Sequence, residues 1–201
     1  MPKLLKIEAA IAALDSGGIV AVPTDTVYGL AAELSQPEAV ATLFTLKHRP
    51  TFVPIPVLVD SVEQIKFLGV EWPEAAERLA DAFWPGGLTI VIPVSHNLAT
   101  MLGADRDTAG FRIPDDNDLR RMMAVLGPLA VTSANEHGQN PCYSAHEVLE
   151  RFATRNELNG AIDGGERSGD VSSVVDLSVT PYQVLRVGAI PREPLVRVMN
   201  G

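Results

Sequence analysis

Ile19-Val20-Ala21-Val22-Pro23-Thr24-Asp25-Thr26-Val27-Tyr28-Gly29-Leu30 joins an apolar run to a cluster of hydroxyls and a carboxylate. Its first four residues are apolar and mostly β-branched, a run too short for a helix and without polar alternation, which reads as a buried strand. Thr24, Asp25, Thr26 and Tyr28 follow at once. Side chains and loop backbone converge at the carboxyl end of an α/β strand, and ligands bind there. An ordinary turn held by Thr and Asp hydrogen bonds uses the same residues, so this stretch alone leaves turn and site both open.

Upstream, Ile7, Ala10, Ile11 and Leu14 recur at helical spacing and Gly17-Gly18 ends that helix. Downstream, Ser35 with Glu38 three residues on predicts a capping box for a helix from Gln36 to about Leu46, with Pro37 tolerated in its first turn. Strands are expected at Ile55–Val59, Thr89–Pro93, Gly110–Ile113 and Leu129–Thr132, and helices at Ser61–Phe67, Pro73–Phe83 and Asp116–Leu126. The last third adds a helix at Ala145–Phe152 and strands at Ala161–Asp163, Val174–Leu177 and Val184–Arg186, with the tail after Gly188 laid over the surface. This alternation predicts an α/β fold, a twisted mixed parallel and antiparallel sheet flanked by helices. The antiparallel share follows from neighbouring C-terminal strands with no helix between them.

The chain has 201 residues, which at roughly 100–200 residues per domain predicts a single domain over residues 1–201. With 46% hydrophobic and 20% charged residues it has the composition of a packed core rather than of disorder. Sixteen Lys and Arg against 25 Asp and Glu give a net charge of −9, which argues against a broadly basic nucleic-acid surface and makes any local positive cleft conspicuous. The single cysteine, Cys142, excludes an internal disulfide and a Cys-rich zinc site, and fits a cytoplasmic setting. The N-terminus leads into a helical pattern with Glu8 and Asp15 rather than a signal peptide, and no apolar run approaches the roughly 18 residues of a membrane span.

Several residues outside the opening stretch have chemistry to offer. Lys47 and Arg49 lie at a helix C-terminus, where cations complement the helix dipole, and both can also reach one cleft as point charge and fork for phosphate or carboxylate. Thr108 and Arg112, four apart on an extended segment, share a face, and a strand arginine needs an acidic partner or an anionic ligand. Thr132, Ser133 and Asn135 end a strand with three small polar groups, Ser172-Ser173 opens another, and Arg186 repeats the question of the buried arginine. His48, His96, His137 and His146 share no metal-ligand spacing. Cys142 has no base nearby in sequence, and Trp72 and Trp84 read as packing for the helix between them. Walker A, G-x-G-x-x-G and G-x-S-x-G sequences are absent.

Together, Pro23 through Leu30, Leu46 through Pro50, Phe83 through Thr89, Thr108 through Pro114, Thr132 through Asn135, Ser172 through Leu177 and Leu185 through Ile190 resemble, in order, the YrdC-like family of threonylcarbamoyl-AMP synthases that begin tRNA t6A biosynthesis. The resemblance runs from about Gly17 to Ile190 and is to the short, single-domain form. It implies a large concave cleft in which L-threonine, bicarbonate and ATP, the last with Mg²⁺ on its phosphates, become threonylcarbamoyl-AMP and pyrophosphate. By that resemblance Lys47 and Arg49 are the catalytic charges. Thr24, Tyr28, Thr108, Arg112 and Ser172 contact threonine and carbamate, and Thr132, Ser133, Asn135, Ser144 and Arg186 join Lys47 and Arg49 on the nucleotide. The protein supplies no metal ligand, and tRNA or downstream threonylcarbamoyl transferase proteins are the implied partners.

The chain departs from the family pattern at Val53, where a polar residue is usual, at Gly87, where proline is usual, and at Val171-Ser172-Ser173, where Pro-Ser-Thr is common. Val53 removes a phosphate or carboxylate contact. Two readings follow: a synthase, or a paralogue that holds nucleotide or RNA without synthesis. The small-molecule motifs and the acidic balance favour the enzyme.

Overall fold

The computed structural model describes residues 1–50, 52–136 and 138–199, so the expectation for His137 lies outside the described residues. In chain order the elements are β1 (Lys3–Leu5), α1 (Ile7–Asp15), β2 (Ile19–Val22), β3 (Gly29–Glu33), α2 (Pro37–Lys47), β4 (Val57–Leu58), α3 (Val62–Phe67), α4 (Glu74–Phe83), β5 (Leu88–Pro93) and α5 (His96–Met101). They continue as β6 (Thr108–Arg112), α6 (Asn117–Leu126), β7 (Leu129–Ser133), α7 (Ala145–Arg151), β8 (Leu158–Ile162), β9 (Ser173–Asp176), β10 (Gln183–Arg186) and α8 (Arg192–Met199). All ten strands join one sheet in the order β1-β8-β2-β3-β7-β4-β6-β5-β9-β10. Four pairs are parallel (β1 with β8, β8 with β2, β4 with β6, β5 with β9) and five antiparallel, three of the latter running together from β2 to β4, so the mixed α/β sheet expected from sequence is the one observed.

Strand periodicity divides the core between two faces. Ile19 and Ala21 of β2 and Leu30 and Ala32 of β3 pack on one side, while Val20, Val22 and Ala31 pack on the other. Both sides of these strands are covered, which is why Ile19–Val22 shows no polar alternation. The second face is covered by α1 and α6, through Ala10, Leu14, Leu119 and Met122, over β2, β3 and β7. Over β4, β6, β5, β9 and β10 that face opens into a cavity of about 290 Å³. On β6, Ala109 and Phe111 belong to the first core, leaving Thr108, Gly110 and Arg112 on the cavity side.

Some local expectations fail for identifiable reasons. Ser35 does not cap α2: its hydroxyl donates to Glu33 Oε1 at 2.5 Å, and Gln36 occupies the N-cap position without a side-chain bond. The bond to the buried carboxylate turns the hydroxyl toward β3 and away from the helix N–H groups. Gly29–Glu33, part of which reads as loop, is a central strand with all five residues buried. The strand expected at Ala161–Asp163 begins earlier, at Leu158. The tail is not merely a surface strap, since α8 buries Leu195 and Met199 in the main core against α4. Pro194, which suggested an irregular tail, sits in the first turn of α8, where its missing N–H leaves nothing unsatisfied. Trp72 and Trp84 stack at 5.6 Å across the ends of α4.

Candidate functional site

Arg112 closes β6 and is 6% exposed. Its Nη2 donates to Asp25 Oδ1 at 2.6 Å, its Nη1 to Thr26 Oγ1 at 3.1 Å and its Nε to the Gly86 carbonyl at 2.9 Å. The internal ion pair and the cleft arginine are therefore one side chain, because Arg112 also lines the cavity. Burial pulls the guanidinium pKa down and Asp25 opposes that shift.

Arg186 reaches the same cavity from β10, the outer strand of the sheet. The β9–β10 register shifts between Val184 and Arg186, an irregularity of the kind that re-aims a side chain. Its Nε donates to the Ser172 carbonyl at 2.8 Å and its Nη2 to Ser172 Oγ at 3.0 Å, and that hydroxyl also meets Thr89 Oγ1 at 2.9 Å. Arg49, beyond the end of α2, donates from Nε to the Val53 carbonyl at 2.9 Å, from Nη2 to the Pro54 carbonyl at 2.8 Å and from Nη1 to Thr132 Oγ1 at 3.4 Å. Partial desolvation at the cavity wall lowers the pKa of both, and the guanidiniums also depress one another, Arg186 acting on Arg49 and Arg112 on Arg186. Three mutually repelling cations thus face one hollow in a chain of net charge −9. Of these, only Arg112 has a carboxylate partner among the described ion pairs.

The walls between them carry Thr24, Tyr28, Thr108, Thr132, Ser133 and Ser172, all expected from sequence, together with Thr26 and Thr89, which were missed. Thr24 Oγ1 is a local organiser. It donates to the Val27 carbonyl at 2.7 Å, accepts from Thr26 and Val27 N–H and meets Thr26 Oγ1 at 2.9 Å. The turn and the site weighed for this stretch coincide in one loop. Tyr28 Oη accepts from Gly164 N–H and donates to the Gly165 carbonyl, both at 3.0 Å, and burial raises its pKa. Thr26 was legible as the second hydroxyl of the opening stretch, whereas Thr89 had no such signal, because its neighbour Ser172 lies 83 residues on. The apolar floor includes Pro56, Leu58, Val131 and Val174. Gly110 lies between Thr108 and Arg112, where a Cβ would come within 2.9 Å of Thr89 Cγ2.

Lys47, Asn135 and Ser144 do not line the cavity. Lys47 is fully buried, its ammonium donating to the main-chain carbonyls of Ser133 and Asn135 (2.6 Å for Asn135) and to Asn135 Oδ1 at 3.3 Å. Burial, then the nearby Arg49, push its pKa down to about 7. Asn135 in turn donates from Nδ2 to the carbonyls of Glu136 and Gln139. Lys47 therefore braces the loop after β7 instead of projecting beside Arg49 as its spacing suggests. Ser144 is the N-cap of α7, its Oγ accepting from Glu147 N–H at 3.1 Å. Cys142 is buried and its thiol is raised to about 11, as befits an inert cysteine. Val53 acts through its carbonyl, and Gly87 fits tightly, since a Cβ there would lie 2.6 Å from Ala189 Cβ. Among the described residues no His, Cys, Asp and Glu group is placed to hold a metal ion.

A second hollow of about 480 Å³ lies near the ends of β1, β8 and β2, lined by Lys6 and Arg167 against Glu8, Asp116, Asp118 and Asp163. Arg167 is already paired with Asp116 at 3.1 Å. The smaller cavity is the better site despite its size, because its hydroxyls converge with cations that have only neutral partners or one acid.

Fold and cavity together define an α/β protein with an arginine- and hydroxyl-lined cavity on the open half of a mixed sheet. The sequence matches the Sua5/YciO/YrdC family, described as telomere recombination, over residues 12–188. The chain belongs to that family. It is 39% identical over 197 residues to the threonylcarbamoyl-AMP synthase of Pyrococcus abyssi, covering 97% of this chain and 57% of that protein. It is 33% identical over 195 residues to a putative threonylcarbamoyl-AMP synthase of Mycobacterium tuberculosis, covering 96% of this chain and 89% of that one. The crystal structure of P. abyssi Sua5 complexed with L-threonine superposes with a TM-score of 0.88 at 38% identity, over 96% of this chain and 56% of that chain. The chain thus spans little more than half the length of its Pyrococcus relative. No helix among the described residues is long and apolar enough to cross a membrane.

Proposed function

We propose that this chain is an L-threonylcarbamoyladenylate synthase, a nucleotidyltransferase that joins L-threonine, bicarbonate and ATP with release of pyrophosphate, acting in the cytoplasm in tRNA t6A biosynthesis. The observation that carries the reading is the convergence of Arg49, Arg112 and Arg186 on one hydroxyl-lined cavity. Its relatives named as synthases, one seen with L-threonine, support the choice of amino acid. The same reading treats residues 1–201 as one functional unit.

Each substrate is an anion or becomes one. Bicarbonate takes up a proton and loses water to give CO2, the neutral threonine amine attacks that carbon, and the proton released from nitrogen as the carbamate forms balances the one consumed. A carbamate oxygen then attacks the α-phosphorus of ATP, and pyrophosphate leaves with the electrons of the broken P–O bond. Carboxylate, carbamate and triphosphate repel one another in water, so the useful work is holding them together against that repulsion. Three guanidiniums that converge on one hollow, Arg112 buried, Arg49 half-buried and Arg186 on the exposed outer strand, do this without a proton-transfer triad. Thr24, Tyr28, Thr108, Arg112 and Ser172 form the threonine and carbamate side, and Arg49, Thr132, Ser133 and Arg186 the nucleotide side. Lys47 and Asn135 shape the nucleotide side from behind, and Ser144 fixes the helix next to it. Among the described residues no carboxylate lines the cavity, and Asp25 behind it is committed to Arg112, so the donor set does not fit a resident cation. Mg²⁺ enters on the ATP phosphates as part of the substrate.

Pyrophosphate release from Mg·ATP and bicarbonate, with L-threonine, with serine and without amino acid, tests the reading, with mass spectrometry of the adduct. Threonine-dependent release with a threonylcarbamoyl-AMP mass is expected. ATP binding without any adduct would favour the nucleotide-holding paralogue instead.

A further inference from the structure

Asp25 does not line the cavity, yet it is the carboxylate paired with one of the cavity's three cations. Its side chain is 16% exposed and that of Arg112 7%, so the pair is shielded from water and only weakly screened by salt. A guanidinium has five N–H donors, and Asp25, Thr26 and Gly86 take three of them, leaving two for a ligand. The backbone beside Asp25 is equally constrained. Gly169 packs so closely that a Cβ there would lie 3.0 Å from the Asp25 carbonyl oxygen and 3.0 Å from Thr26 Cα.

We propose that Asp25 is a positioning residue for the reaction: through its 2.6 Å bond to Nη2 it fixes the plane of the Arg112 guanidinium and trims the positive potential of the cavity. This rests on the reading of Arg112 as a substrate contact. Two consequences follow, one from the charge and one from the geometry. Without the carboxylate the cavity becomes more positive, so it grips pyrophosphate more tightly. Without the fixed plane Arg112 is held only by two neutral acceptors, so the reacting groups are aligned less often. An interaction that merely supports the fold lowers both binding and turnover together, or neither.

The test compares wild type, Asp25→Asn, Arg112→Gln and the double variant, measuring inorganic pyrophosphate binding by calorimetry and kcat for threonine-dependent adduct formation. In Asp25→Asn, kcat should fall by about tenfold or more while pyrophosphate binds about threefold more tightly. In the Arg112→Gln background, Asp25→Asn should cause no further loss of kcat, because the effect passes through Arg112. Independent, multiplying losses would overturn the proposal, as would unchanged or weakened pyrophosphate binding in Asp25→Asn. Should Asp25→Asn not fold, Asp25→Glu serves: the charge is kept but displaced, so pyrophosphate affinity should stay within twofold of wild type while kcat falls, and wild-type kcat would refute the proposal. If wild type makes no adduct, the proposed function fails, while pyrophosphate binding still decides whether Asp25 sets the potential at Arg112.

Discussion

Arg112 and Arg186 face the same cavity and are held in opposite ways. Arg112 ends β6, a strand flanked on both sides in the sheet, and is clamped by a carboxylate, a hydroxyl and a carbonyl. Arg186 sits on the outer strand β10, behind a register shift, and among the described residues is held by the carbonyl and hydroxyl of Ser172. A guanidinium open to solvent, as on Arg186, exchanges neutral acceptors for water or a ligand at little net cost, whereas unpairing a buried ion pair costs about 3–5 kcal/mol. The comparison teaches that one cavity combines a fixed charge with charges that can be transferred to a ligand. Arg49, bound to two carbonyls and one hydroxyl, belongs with Arg186.

Arg112→Leu presses hardest on this distinction. It strands the Asp25 carboxylate in a buried site, and urea denaturation should show a loss of about 3–5 kcal/mol. A loss below about 1 kcal/mol would mean that Asp25 is already solvated and the two walls are alike. Arg186→Gln and Arg49→Gln should reverse the balance, with stability changed by about 1 kcal/mol or less and adduct formation reduced on the order of 100-fold.

Lys47 sharpens the contrast from behind the wall. Its pKa in the folded protein is about 7 against an ordinary 10.5, so between those values the unfolded chain binds more protons. Lys47 should therefore make stability rise with pH from about 7 toward 10.5, and the difference in unfolding free energy between wild type and Lys47→Met should grow along that range. A pH-independent difference would place the ammonium in water. The smallest effect is expected of Val53→Lys. Arg49 takes the Val53 carbonyl and not its side chain, so the KM for ATP should change by less than about threefold.

How much of this was legible depended on whether a residue's role is local. Ile19–Val22 announced a doubly covered strand because burial on both faces removes polar alternation. Thr108 and Arg112 announced a shared face through period two, and both line the cavity. Lys47 defeated the same logic, because a lysine at a helix end has reach enough to turn inward to carbonyls 86 and 88 residues away in sequence. Asp25 was visible as a residue but not as the partner of Arg112, 87 residues on. Thr89 gained its place from Ser172 across β5 and β9, a pairing that no spacing encodes. Ser35 looked like a cap because the pull of buried Glu33 is invisible before β3 is known to be central.

The most direct test of a fixed charge beside transferable ones is a crystal structure with L-threonine and a non-hydrolysable ATP analogue. The account predicts Arg49 and Arg186 within about 3.2 Å of ligand oxygens, released from Val53 and Ser172, with Arg112 still paired to Asp25. Anions bound away from these guanidiniums, or Arg112 parted from Asp25 while Arg186 stays on Ser172, would contradict it.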